Sequence, residues 1–323
     1  MGRCLGTIAT AREHFISSAS APLQRRCLIL LIAVIHDTYN PDWPCREILK
    51  ALEERGVNKL FLRISKISSR IGERPRFWFG PKSIDDLDGA FVRSLGAIVN
   101  VEQMVRRITL LEHMEAYGIT LMNPLDPLLT SRDKYRTLYK LELSGVPVPK
   151  TSVSEDLRYA YEYSKRLGRL VVKPLIGSRG YGSVMVDHPE VSFRILKTLA
   201  STRHPLYVQE YVPKPSRDIR AFVVDGQVVA SMYRYAPKGE WRTNIAQGGE
   251  GQPCRLEGDY VEVVLKAVEA IGLWYAGVDL IEGPQGPVVV EVNGSPDWEE
   301  LTSVTKVNPA PLIVDCLIRK IKR

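Results

Sequence analysis

Apolar runs and helix-period segments alternate along this chain from Leu28 onward. Leu28–Ile35 is an unbroken apolar run, the pattern of a strand covered on both faces. Pro44 suits a first helical turn, and Arg46–Arg55 has helical periodicity ending at Gly56. Lys59–Ile64 alternates as a second strand, residues 65–88 are polar and turn-rich, and Ala90–Val92 is a short strand ending at Arg93. A helix over Glu102–Tyr117 and a strand over Ile119–Met122 complete a small open α/β unit, whose βαβ order implies a mostly parallel sheet.

Asn123-Pro124 interrupts this rhythm. Ser131 is placed to cap a helix running to Ser144, with Gly145, Pro147 and Pro149 stopping it. Helices are predicted over Glu155–Leu167 and Val191–Ala200, and between them lies the hairpin Leu170–Val186. Strands follow at Leu206–Val212, Asp218–Val224 and Gln227–Tyr235, the last two joined by Asp225-Gly226, a strong hairpin signal. Helix Asp259–Ile271, strands Trp274–Glu282 and Pro287–Val292, and a helix near Asn308–Ile321 end the chain. The second part is therefore α+β, helices mixed with antiparallel strands.

Length and charge narrow the picture. A chain of 323 residues holds two or three domains. Of the net charge of +7, residues 1–26 carry +3 (Arg3, Arg12, Arg25 and Arg26 against Glu13), leaving a mild +4. That balance suits an acidic small ligand, and no nucleic-acid partner is expected. The apolar stretch Cys27–Ile35 is too short to span a membrane, and no small-residue cleavage site follows it, so neither an anchor nor a secretory signal is expected. Five scattered cysteines without a CxxC pair point to a reducing, cytoplasmic setting.

Two stretches carry the chemistry. In the hairpin, LVVK leads into Pro174 and a loop containing Gly177, Ser178, Arg179, Gly180, Tyr181 and Gly182. A lysine at the root of a glycine-rich flap suits phosphate, because glycines let backbone N–H groups approach an anion. In the last two strands, Asp279 stands in AGVDLIE, and Glu291 and Asn293 stand in VVVEVN. A three-residue loop Pro284-Gln285-Gly286 would set Asp279 opposite Glu291. Two carboxylates and an amide oxygen form a hard oxygen site suited to Mg²⁺, and the flanking valines make unpaired charge there costly. Between these stretches, Gln209-Glu210-Tyr211-Val212 has the look of a segment joining two lobes. Glu210 stands there either as a nucleotide contact or as an ordinary exposed acid. Asp218-x-Arg220 puts an acid and a base on one strand face, and Arg234, Arg242 and Asn244 precede Gly248-Gly249.

The ordered series SRDKY, VVKPLIGSRGYG, VQEYV, DIRAFVVDG, Arg234, WRTNIAQGG, GVDL and EVNGSP resembles the ATP-grasp superfamily, and within it the RimK-like glutamate ligases. The resemblance runs from about Leu28 to the C-terminus. Residues 1–26 read as a basic extension, either disordered or an over-long gene start; the resemblance implies an N-terminal α/β domain (27–123), a central lobe with the flap (124–207) and a C-terminal lobe with the metal site (208–323). It implies that Lys134 and Lys173 hold the ATP phosphates under the flap, that Glu210 and Val212 meet adenine, and that Asp218 lies beside the ribose. Asp279, Glu291 and Asn293 become ligands of Mg²⁺ or Mn²⁺, while Arg242 and Asn244 sit near the γ-phosphate. The implied activity is ATP-dependent amide formation through an acyl phosphate, adding L-glutamate to a cofactor or protein carboxylate. Alternatives are a carrier-protein-dependent amino-acid ligase and a non-catalytic ATP-binding regulatory module. The sequence GSPDW after Asn293 resembles the cofactor- and protein-modifying ligases more than the carrier-protein ones. Tyr39, Asn40 and Arg93, following strand ends, are the acceptor-side candidates, and a homo-oligomer is left open.

Overall fold

The computed structural model describes residues 30–96, 98–175, 182–241, 243 and 249–321. Its first unit contains β1 (Leu31–His36), α1 (Trp43–Glu53), β2 (Asn58–Arg63), β3 (Ile67–Ser69), β4 (Phe77–Phe79), β5 (Lys82–Ser83), β6 (Gly89–Val92), α2 (Val101–Ala116) and β7 (Thr120–Met122). Among the described residues the main strands pair in parallel in the order β2-β1-β6-β7. The unbroken apolar run behaves as expected. Ile32 and Val34 face one core and Ala33 and Ile35 the other, so β1 is sandwiched. The stretch expected to be turn-rich instead carries a small antiparallel sheet, β3-β4-β5. Alternation over three residues or fewer is too short to stand out from a loop.

The chain continues through α3 (Leu125–Arg132), α4 (Lys134–Leu143), β8 (Thr151–Ser154), α5 (Leu157–Leu167), β9 (Leu170–Lys173), β10 (Val184–Val186), α6 (Pro189–Ser201) and β11 (Leu206–Glu210). One helix was expected over Ser131–Ser144, and the structure breaks it. Asp133 is the cap of α4, accepting from the N–H groups of Tyr135 and Arg136, while Ser131 lies in the last turn of α3 and its Oγ accepts from Gly294 N. An aspartate able to satisfy two orphan N–H groups of a new first turn outcompetes helix continuation. The second sheet has the order β10-β9-β11-β8, and β8 is an element the sequence pattern did not show.

The last part contains β12 (Arg217–Val224), β13 (Gln227–Tyr235), β14 (Glu250–Pro253), α7 (Asp259–Ile271), β15 (Tyr275–Gly283), β16 (Gly286–Asn293), α8 (Glu299–Thr305) and α9 (Ala310–Ile321). Its strands form an antiparallel sheet, β14-β13-β12-β15-β16. The β12–β13 turn is the expected Asp225-Gly226, both with positive φ, which matches the twist of the strands it joins. Helix α9 returns to the first unit, packing on α1, so that Ile32, Phe91, Phe222, Tyr275, Trp298 and Leu317 share one core. No described helix is long and apolar enough to cross a membrane.

One buried amide joins the first sheet to the last. Asn123 is fully buried at the end of β7. Its Nδ2 donates to the carbonyls of Tyr275 and Gly294 at 2.8 and 2.7 Å. Its Oδ1 accepts from the N–H groups of Trp274 and Tyr275 at 2.7 and 3.1 Å. Every hydrogen-bonding capacity of the side chain is thus spent on the backbone that begins β15 and follows β16. Asn123→Ala leaves these groups unpaired in the interior and is expected to lower stability by about 3 kcal/mol, measured by urea unfolding.

Candidate active site

The cleft lies between the β9–β11 sheet and the β12–β16 sheet, lined by residues of both. Its floor is set by strand register. Asp279 on β15 pairs directly with Glu291 on β16, as the sequence suggests, but by a different route. The connection is a two-residue turn, Pro284-Gln285, with Gly283 opposite Gly286. That alone would set Asp279 against Val290. A register shift between Leu280 and Asp279 leaves Val290 as the extra residue and returns Glu291 to the facing position.

Asp279 is 5% exposed, between Val278 and Leu280, which are fully buried. Such a carboxylate must be matched by charge. Arg220, its cross-strand partner on β12, brings Nε to 3.0 Å from Oδ1. Arg234 on β13 brings Nη2 to 3.1 Å from Oδ2. Arg234 in turn forks onto its own cross-strand partner Asp218, at 2.7 and 2.9 Å, and Thr243 Oγ1 donates to the same carboxylate. Burial alone would favour the neutral guanidine in Arg234, but Asp218 and Asp279 outweigh it and hold the cation firmly charged. Gly277 leaves room for this network, since a Cβ there would lie 2.5 Å from Arg220 Nη1.

Asp279 Oδ1 remains buried without an aligned hydrogen-bond donor, despite the nearby Arg220 Nε. An oxygen of that kind beside a second carboxylate fits a divalent cation, and Asp279 and Glu291 are the residues placed to hold one. Asn293 lies two residues along the same strand. Its Oδ1 accepts from Ser295 N at 2.9 Å, and it is not among the residues lining the cleft.

The opposite wall carries the lysines. Lys173 ends β9 and donates to Gln209 Oε1 at 2.6 Å, while Gln209 Nε2 donates to Thr151 and Tyr207. Lys134 opens α4 and lines the same cleft, as do Glu210, Tyr211 and Val212. Glu210 Oε1 accepts from Lys150 N at 2.8 Å, so this acid also ties β11 to the start of β8. Gly182 has φ +77 and packs near Pro174, as the end of a glycine-rich connection requires. Gly177, Ser178, Arg179, Gly180, Tyr181, Arg242 and Asn244 lie outside the described residues.

Asp218, expected beside a ribose, lines the cleft and there gives its carboxylate to Arg234 and Thr243. One expectation changes. Arg93, an acceptor-side candidate, is buried: it donates to Pro296 O and Tyr275 Oη and lies under the Trp298 ring, joining the two parts of the fold. Of the other two acceptor-side candidates, Tyr39 is exposed under the Arg63 guanidinium. Thr243, Lys214 and Trp241 line the cleft and were not singled out from sequence. Thr243 sits inside the WRTN motif, and its position between two flagged residues was the available signal.

Burial pushes the Lys173 ammonium down from 10.5 to about 8; Glu291 opposes the shift, Lys134 adds to it and Asp279 opposes it. Between about 8 and 10.5 the unfolded chain keeps this proton while the folded chain has released it. This lysine therefore makes the fold more stable as pH rises through that window, and below it the cost of the buried charge is felt in full. Lys173→Met is expected to stabilise the ligand-free protein most below pH 8, the gain shrinking toward pH 10.5. Denaturation midpoints of the two proteins across this range check it, and a pH-independent difference would contradict it.

Comparison with known proteins places this geometry. Residues 131–317 match the model of the RimK-like ATP-grasp domain. The tetrahydromethanopterin:alpha-L-glutamate ligase of Methanococcus maripaludis is 36% identical over 279 residues, covering 85% of this chain and 94% of that protein. A probable alpha-L-glutamate ligase of Rhodopirellula baltica is 33% identical over 274 residues, covering 84% of this chain and 66% of that one. Among solved structures, the ATP-grasp ligase PsnB complexed with minimal precursor, Mg and ADP superposes with a TM-score of 0.70 at 18% identity, covering 90% of this chain and 98% of that one. The chain belongs to the RimK-like ATP-grasp family.

Proposed function

We propose that this protein is an ATP-dependent ligase that joins the amino group of L-glutamate to a carboxylate acceptor. The observation that carries the reading is the facing pair Asp279–Glu291 in the same cleft as Lys173 and Lys134. The glutamate assignment draws on relatives named as alpha-L-glutamate ligases, which share that donor while one is named for a pterin acceptor. The acceptor class is a carboxylate on a cofactor or a protein.

Each side chain then has a task. Lys173 and Lys134 supply point charges for the ATP phosphates. Gln209 holds Lys173 in place at 2.6 Å. The segment from Glu210 to Val212 lies where the two sheets meet and suits the adenine. Arg220 and Arg234, fixed by acids on neighbouring strands, are preorganised donors whose orientation costs nothing at the moment of reaction. Asp279 and Glu291 would hold Mg²⁺, with Mn²⁺ as a substitute, and the cation when bound neutralises phosphate charge. The acceptor carboxylate oxygen attacks the γ-phosphorus and ADP leaves. The glutamate amine then attacks the acyl carbon, the carbon–oxygen bond to phosphate breaks, and the amine sheds a proton. Excluding water protects the acyl phosphate in between.

The test is ADP release with Mg-ATP and L-glutamate across candidate carboxylate acceptors, with product masses recorded. The expected result is acceptor-dependent ADP release and a mass gain of one glutamyl unit. Lys173→Ala and Glu291→Ala should each reduce the rate by about 10²–10³-fold while leaving the unfolding transition cooperative. ATP binding with no turnover on any acceptor would favour the regulatory reading, and ADP release untouched by both variants would remove the site from the account.

A further inference from the structure

An oriented cation stands on the carboxyl edge of the first parallel sheet. From β1 the chain steps outward to β2 and then returns to the other side of β1 with β6, so the winding reverses between β1 and β6. Open α/β sheets bind ligands outside the carboxyl ends of their strands at such a point. At or just past those ends stand His36, Arg63, Arg93 and Asn123. The β6 and β7 half of the edge is sealed, with Arg93 and Asn123 buried against the GSPDW segment and the start of β15. The β1 and β2 half is open: Thr38, Tyr39 and Asn40 are exposed, Tyr39 by 74%.

Arg63 ends β2 with its guanidinium held on two sides. Nε donates to Asp37 O at 2.8 Å, and Cζ lies 3.8 Å from the centroid of the Tyr39 ring. The Asp37 carboxylate does not neutralise it, because that carboxylate faces Arg107 at 3.0 Å. Among the described residues nothing pairs with the two Nη groups of Arg63. A guanidinium plane fixed by a ring and a carbonyl, with its terminal N–H groups open, matches a carboxylate or phosphate through two parallel hydrogen bonds. Its orientation is set before any ligand arrives, so little rotamer freedom is lost on binding.

Position decides which substrate brings that anion. Ser295 and Pro296, both bonded to Arg93, follow closely on Asn293, so the sealed half of the edge abuts the strand end that bears Glu291. Arg63 lies two strands further along, about 10 Å beyond β6 at ordinary strand spacing. That separation suits the body of the acceptor rather than L-glutamate, whose amine must reach the acyl carbon itself. We infer that Arg63 and Tyr39 form a subsite for the acceptor, in which the Arg63 fork binds a carboxylate or phosphate that the acceptor carries apart from its reacting carboxylate. Assigning this anion to the acceptor rests on the ligase reading of the cleft; the anion site itself does not.

Steady-state kinetics with an acceptor that turns over, and with its analogue lacking the second anion, test this. Arg63→Met is expected to raise the acceptor KM at least about tenfold, with kcat and the KM of ATP and of L-glutamate little changed. On the analogue, wild type and Arg63→Met should perform alike, because both have lost the same interaction. Arg63→Lys keeps the charge without the fork and should recover only part of the loss, whereas Tyr39→Phe keeps the ring and should behave as wild type. An unchanged acceptor KM in Arg63→Met, or an equal loss on acceptor and analogue, overturns the subsite. A second arm needs no turnover: calorimetric titration of the full chain, loaded with Mg-ADP, with inorganic phosphate and with glutarate. Saturable binding of one of them that Arg63→Met loses is expected, and the tighter of the two tells a phosphate from a carboxylate. Titrations identical in wild type and Arg63→Met overturn the anion site even where the ligase turns over. Binding lost in Arg63→Met, with no turnover on any acceptor, keeps the anion site and overturns its assignment to an acceptor.

Discussion

A carboxylate inside an apolar sheet is the constraint to which the rest of the site answers. Asp279 lies on a strand whose neighbours are valine and leucine, and burying one charge there without partners would cost several kcal/mol. The sheet resolves this by placing arginines on the adjacent strands, Arg220 directly across and Arg234 one strand further out. Arg234 is itself buried, so it needs Asp218, which in turn takes Thr243 from the segment following β13. The result is a chain of alternating charge across three strands. It fixes the guanidinium groups beside the cleft, and any change in register would break it at several points at once.

That sheet is useful only if it keeps its place against the lysine-bearing wall and the first unit. Asn123, Ser131, Arg93 and the GSPDW segment perform that joining. Ser131 Oγ accepts from Gly294 N, Ser295 Oγ donates to Arg93 O, and Arg93 donates to Pro296 O. Trp298 is fully buried against Phe222 and Trp43. The residues just after Asn293 are thus a structural joint, and the strand end bearing Glu291 and Asn293 is anchored from both sides. Lys173 is placed from the other wall by Gln209, which Thr151 on β8 and Tyr207 on β11 orient.

Much of this was legible in the chain. The sandwiched strand β1, the Asp225-Gly226 turn, the hairpin of β9 and β10, and the facing of Asp279 with Glu291 all follow from local pattern. What was not legible depends on contacts distant in sequence. The extra residue Val290 reaches the same pairing as a longer loop, and alternation cannot distinguish the two. Asp133 breaks a helix that periodicity carries through. Short strands such as β5 and β14 form only because a neighbour is there to pair with them. Arg93 follows a strand end, as ligand-binding residues often do, yet it is buried by a segment two hundred residues later.

Transfer of the acceptor's own oxygen to phosphate is the signature of an acyl phosphate, and nothing else proposed for this cleft produces it. The direct test is turnover with an acceptor whose reacting carboxylate carries ¹⁸O, followed by mass spectrometry of the released phosphate. The prediction is one labelled oxygen per phosphate, with the remaining label in the amide product. Unlabelled phosphate, with both labelled oxygens kept by the acceptor, would mean that ATP is hydrolysed without activating that carboxylate and would contradict the account.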